Sequence, residues 1–107
     1  MSVIMTFRAS GDPQELERRA GQNPDGMRSI ADRAKEHGLI AHRFYGSEDG
    51  RQIMVVDEWP DAQSFQSFFE SMRSEIEPMM RDVGVTGEPE VTFWRKLDTH
   101  DEVGWDA

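Results

Sequence analysis

The chain runs Gln52-Ile53-Met54-Val55-Val56-Asp57-Glu58-Trp59, then Pro60-Asp61, then a segment carrying Phe65, Phe68, Phe69, Met72, Ile76, Met80 and Val83. The first stretch puts Ile53, Val55 and Trp59 on one side and Met54 and Val56 on the other, the pattern of a strand apolar on both faces. In the second, the apolar residues fall 3, 4, 7, 11, 15 and 18 positions beyond Phe65, which lines them up on one stripe of a helix. A buried strand ending at a tryptophan, a two-residue turn and a strongly apolar helix make half of a small α+β sandwich. The free face of its sheet calls for a partner.

Working outward, Asp61 caps this helix and Gly84 closes it. Pro78 lies inside the stripe and is expected to kink the helix or divide it near Glu77, because proline has no N–H to donate. Upstream, Leu39 to Gly46 reads as the pairing strand, joined through Ser47-Glu48-Asp49-Gly50-Arg51, a hairpin turn with the glycine such turns require. Ser2 to Arg8 is a first strand, with Val3, Met5 and Phe7 on one face. Asp12-Pro13-Gln14-Glu15 opens a helix: Asp12 caps, Pro13 suits the first position and Glu15 stands at capping-box spacing. That helix is interrupted between Gly21 and Gly26, restarts at Asn23-Pro24 and stops at Gly38 after Met27, Ile30, Ala31 and Ala34. Downstream, Pro89 to Leu97 is a fourth strand.

The order is β-α-β-β-α-β, a ferredoxin-like α+β fold with a four-stranded antiparallel sheet covered by helices on one face. Residues 1–97 form the domain and residues 98–107 an acidic C-terminal tail. A sheet with one bare face shows polar residues there. Here Met54 and Val56 occupy it, so a homodimer joined through the sheet face is expected. Val103 and Trp105 are costly to leave in water, and the tail is expected to pack across the partner subunit.

With 107 residues the chain is one domain, and dimerisation covers apolar area that so small a fold leaves open. The 12 Lys and Arg are scattered against 21 Asp and Glu, for a net charge of −9, which argues against nucleic acid and anionic membranes as partners. There is no cysteine, which excludes disulfides, thiolate chemistry and Cys-ligated metals and fits a cytoplasmic protein. The opening Met-Ser-Val-Ile-Met-Thr-Phe-Arg has no signal-peptide pattern, and nothing reaches the roughly 20 apolar residues of a membrane span.

From residue 2 to residue 97 the chain resembles the dimeric α+β barrel superfamily, and within it the antibiotic biosynthesis monooxygenase-like proteins. The resemblance rests on element order, length and the Asp57-Glu58-Trp59 strand end leading into Phe65, Phe68 and Phe69. It implies two ferredoxin-like subunits joined sheet to sheet, each with a ligand pocket between helices and sheet. Activities in the group run from cofactor-free oxidation of polycyclic phenols to haem degradation. Haem-degrading members use an asparagine on the first strand, a tryptophan and a histidine on the second helix; only Trp59 matches here. Quinone-forming members use an asparagine on the third strand, the tryptophan at its end and a tyrosine opening the next helix, where this chain has Val55, Trp59 and Phe65.

The residues themselves suggest a site. His42, mid-strand on the face of Ile40 and Phe44, is the best single residue for chemistry, a general base for a phenol or enol; the plainer reading is an interface histidine. Trp59 offers stacking area and one N–H donor, or serves simply as core. Phe65, Phe69, Met72 and Trp94 join it as expected walls of an apolar pocket, with Met79 and Met80 making it adaptable and Trp94 helping to fill the barrel interior. Asp57 and Glu58 are neighbours on a strand, so they point to opposite faces and form no acid–base pair; at most one of them faces the pocket, and either complements the following helix dipole. His37 suits a helix C-terminus, and three scattered histidines make no metal site.

These observations lead to an enzyme that acts without cofactor on an aromatic or polyketide-like molecule, with His42 as base. The alternative is a non-catalytic domain that binds a hydrophobic metabolite or assembles with partners; a weaker one is haem binding through His42.

Overall fold

The computed structural model describes residues 1–105; Asp106, part of the acidic tail, lies outside the described residues. Strand β3 (Gln52–Trp59) is the spine of the fold. Its alternation buries Ile53, Asp57 and Trp59 on the inner side, with Met54, Val56 and Glu58 half-buried on the outer one. Strand β2 (Ala41–Gly46) pairs with one edge of β3 and β1 (Val3–Ser10) with the other, and β4 (Glu90–Trp94) lies beyond β1. The order is β2-β3-β1-β4 and every pairing is antiparallel. Gly50, at φ +73°, takes the left-handed position of the β2–β3 turn. There Ser47 Oγ accepts from the N–H groups of Arg51 (3.2 Å) and Gln52 (2.9 Å).

Helices α1 (Pro13–Gln22), α2 (Pro24–Glu36) and α3 (Ala62–Asp82) cover the inner face. Asn23 ends α1 through its N–H to Arg19 O (3.0 Å) and caps α2, accepting from the Gly26 N–H (3.2 Å). Asp12 caps α1, but the capping box does not close. The N–H of Asp12 donates to Val83 O (2.9 Å), and Glu15 turns instead to Arg18 and Arg19. Asp61 caps α3 through the Ser64 N–H (2.8 Å). The expected division near Glu77 does not occur. The helix runs through Pro78 because Ile76 and Val83, buried on either side of it, hold the last turns against the fold at the loss of one hydrogen bond.

Beneath the helices, Met5, Phe7, Trp59, Phe65, Phe68, Met72 and Ile76 form one cluster. Each such side chain stabilises the fold by about 1.5–3 kcal/mol when fully buried. The outer face is more mixed than its Met54 and Val56 alone suggest. Ile4 is half-buried and Tyr45 and Trp94 are exposed, beside an Arg8–Glu90 ion pair and a hydrogen bond from Ser2 to Glu58.

Candidate functional site

Register decides the site. His42 on β2 stands opposite Asp57 on β3, and both point to the helix side. His42 Nδ1 lies 2.7 Å from Asp57 Oδ1, and Trp59 Nε1 donates to Asp57 Oδ2 at 3.1 Å. One carboxylate therefore spends an oxygen on each ring. Asp57 is buried, with 6% of its side chain exposed, whereas His42 keeps 32%, because β2 is the sheet edge. With Asp57 ionised, His42 Nδ1 carries a proton and Nε2 is left with a free lone pair. The Phe44 ring meets the imidazole edge-on at 5.1 Å and fixes its plane.

Next to this pair, between sheet and helices, is a cavity of about 110 Å³. Phe7, Phe44, Val55, Phe65, Phe68, Phe69, Ile76, Met79 and Met80 are among its walls, and among the described residues His42 is the only polar side chain lining it. An apolar cavity of roughly 150 Å³ takes up benzene, so this space is on the scale of one ring. A base facing an otherwise apolar cavity can hold a weakly acidic O–H and remove its proton.

The sequence-expected residues separate into three places. His42, Phe65 and Phe69 line the cavity. Trp59 and Met72 do not: the fully buried Trp59 stands behind the rings of Phe65 (5.8 Å) and Phe68 (5.6 Å), and Met72 packs deeper, its sulfur 4.0 Å from Arg33 Nη1. Trp94 is on the other side of the sheet. It pairs with Ile4, one residue out of phase with Phe93 and Met5, and its Nε1 donates to Thr6 Oγ1 at 2.8 Å. Phe93 takes the inner position instead and packs on Phe65 at 5.9 Å. The pocket wall expected at Trp94 is therefore absent, because alternation on β4 turns Phe93, not Trp94, to the helix side. Of Asp57 and Glu58, at most one of which is expected to face the pocket, it is Asp57 that takes the inner side, in phase with Ile53 and Trp59.

Solved structures share this architecture. A monooxygenase from Streptomyces coelicolor in complex with nanaomycin D superposes with a TM-score of 0.66 at 15% identity, over 95% of this chain and 92% of that one. A cofactor-independent oxygenase from Streptomyces nogalater gives 0.63 at 16%, over 94% and 98%. The chain has the fold of the antibiotic biosynthesis monooxygenase-like proteins. A dimeric ferredoxin-like protein from an uncultured marine organism shares it too, with a TM-score of 0.65 at 14% identity over 95% and 93%. No family model matches the chain, and no curated protein matches it in sequence. At these identities the likeness is one of fold.

At about 110 Å³ the cavity is smaller than a porphyrin, so haem beside His42 would require it to open. Among the described residues no group of three or more His, Asp or Glu side chains is placed to hold a metal ion, and no helix is long and apolar enough to cross a membrane.

Proposed function

We propose that this protein is a cofactor-independent monooxygenase-like enzyme acting on an aromatic or polyketide-like small molecule. The observation that carries the reading is the His42–Asp57 pair opening onto an apolar cavity. His42 Nε2 takes the proton of a phenol or enol, and Asp57 balances the charge the ring acquires. The electron-rich anion then combines with dioxygen at carbon. The resulting hydroperoxide loses water, so a CH2 group and O2 become a C=O group and H2O. The fold's likeness to oxygenases supports the reaction class, and phenylalanine walls favour an aromatic substrate.

The working unit is proposed to be a cytoplasmic homodimer joined through the outer face of residues 1–97, with the tail, including the exposed Val103 and Trp105, crossing the partner. The outer-face residues Ile4, Met54, Val56 and Trp94 are the apolar surface such a contact covers.

A second reading is a non-catalytic binder of a hydrophobic metabolite. It is favoured by the lack of any polar lining side chain besides His42, which leaves no second donor for a developing oxyanion. Oxygen uptake by the full chain over a panel of phenols and enols separates the two. The enzyme reading predicts uptake that His42→Ala removes. No uptake with any member of the panel, and a His42→Ala change that alters stability alone, leaves the binder.

A further inference from the structure

Five side chains that line the cavity, Leu16, Met27, Ile30, Met79 and Val83, also line a wider groove of about 420 Å³ between α1–α2 and the last turns of α3. The two spaces differ in chemistry. The cavity has His42 alone as a polar side chain, whereas Arg19, Gln22, Asn23, Glu75 and Asp82 surround the groove. Cavity and groove adjoin through the five side chains they share. On β2–β3, His42 pairs with Asp57 and Gly46 with Ile53, which puts four strand residues, about 13 Å, between the base and the Ile53 end of the cavity. On α2, the cavity wall runs seven residues from Ala34 to Met27, about 10 Å, and its last turn, Ile30 to Met27, is also groove wall.

We infer that cavity and groove are the two halves of one binding site for an elongated, uncharged amphipathic molecule. Its aromatic ring sits at the His42 end, a short linker passes Met27 and Met79, and a polar end group rests in the groove against Gln22 and Glu75. The inference rests on the proposed function only in placing the reacting ring at His42.

Each part of that ligand answers a feature of the protein. Phe69 meets Phe7 and Phe65 at tilted angles, with centroids 6.3 and 5.8 Å away, a wall that suits an inserted ring. Met27 and Met79 are half-buried, unbranched and adaptable, so the wall they share between the two spaces can part. Pro78 borders the groove and gives the Ser74 carbonyl no N–H, which leaves α3 less tied where it must yield. A carboxylate end group is disfavoured. Arg19 is already engaged, with Nε 2.8 Å from Glu15 and Nη1 3.8 Å from Asp82, and Glu75 adds a further negative charge. A primary amide, by contrast, donates to Glu75 and exchanges hydrogen bonds with Gln22.

Calorimetric titration of the full chain with three probes tests this: phenol, 6-(4-hydroxyphenyl)hexanamide and 6-(4-hydroxyphenyl)hexanoate. The amide is expected to bind at least roughly tenfold tighter than the carboxylate, a gap of about 1.4 kcal/mol. Glu75 is exposed, so Glu75→Lys leaves the fold intact; it should reverse the amide–carboxylate order and leave phenol unchanged. The methyl resonances of Met27 and Met79 should move with the amide. A carboxylate as tight as the amide, an order indifferent to Glu75→Lys, or an amide that does not bind overturns the inference. Groove-dependent amide binding with no oxygen uptake defeats only the oxygenase reading. Oxygen uptake from phenols, together with amide and carboxylate affinities that both ignore Glu75→Lys, defeats only the two-part site.

Discussion

Asp57 Oδ1 lies 2.7 Å from His42 Nδ1, across a strand pair in which the two residues are direct neighbours. A buried carboxylate that holds one nitrogen of an imidazole presents the other in a fixed tautomer. The consequence for chemistry is direct. Asp57→Asn keeps the shape of the side chain but offers an amide in place of an acceptor pair, and the ring can then turn or change tautomer. Oxygen uptake should fall roughly 100-fold or more, as expected when the orienting acid of a histidine base is lost. Steady-state rates with Asp57→Asn at wild-type levels would show that the carboxylate plays no part in the reaction.

Trp59 is wholly buried and its N–H is spent on Asp57 Oδ2. Trp59→Phe keeps an aromatic ring in the core but removes that donor, leaving one oxygen of a buried carboxylate without its partner. Urea unfolding should report a loss of about 1–3 kcal/mol, with any change in smaller ring volume added to it. Stability equal to the wild type would mean that the indole N–H is dispensable and that Asp57 is held by His42 alone.

Glu15 provides a pH test far from the site. The hydrogen bond from Arg18, with Arg19 alongside, lowers its carboxyl from 4.5 to about 2. A pKa depressed by folding contributes stability above the unfolded value, and that contribution is lost as pH falls through the folded one. The stabilising effect of Glu15 should therefore be full above pH 4.5 and fade from there down to about pH 2. Across that window the stability of Glu15→Gln should fall less steeply than that of the wild type, as read by urea midpoints at successive pH values. Parallel curves would refute the coupling.

The outer sheet face makes a separate prediction about assembly. Val56 is half-buried there between Thr6 and Arg43 in the strand register. An aspartate at this position puts an unpaired charge into the proposed contact, so Val56→Asp should sediment as a monomer under conditions where the wild type is a dimer. A wild-type chain that sediments as a monomer would contradict the dimer outright.

The strand, turn and helix of residues 52–83 announced the fold because two periodicities, alternation and then a helical stripe, follow each other without a break. The site was readable only in part. His42 stands out as a histidine among apolar residues, but its pairing with Asp57 does not, because alternation lets one of Asp57 and Glu58 face the pocket without saying which. The hairpin held the missing signal: closing Gly46 on Ile53 across the turn and counting back four residues brings His42 opposite Asp57. Trp94 went the other way, since alternation says that Phe93 and Trp94 face opposite sides without saying which is inside. Only pairing with Met5 and Ile4 on β1 settles that. The passage of α3 through Pro78 was hidden for a different reason. Local backbone chemistry favours a break, and the packing of Ile76 and Val83 overrides it.

The most direct measurement is oxygen uptake by His42→Ala on the best phenol of the panel, with and without added imidazole. If Nε2 of His42 is the base, the rate should drop by about 100- to 10,000-fold and free imidazole should restore part of it in proportion to its concentration. A variant that consumes oxygen at the wild-type rate, or a loss that imidazole leaves untouched while the fold is intact, would contradict that role.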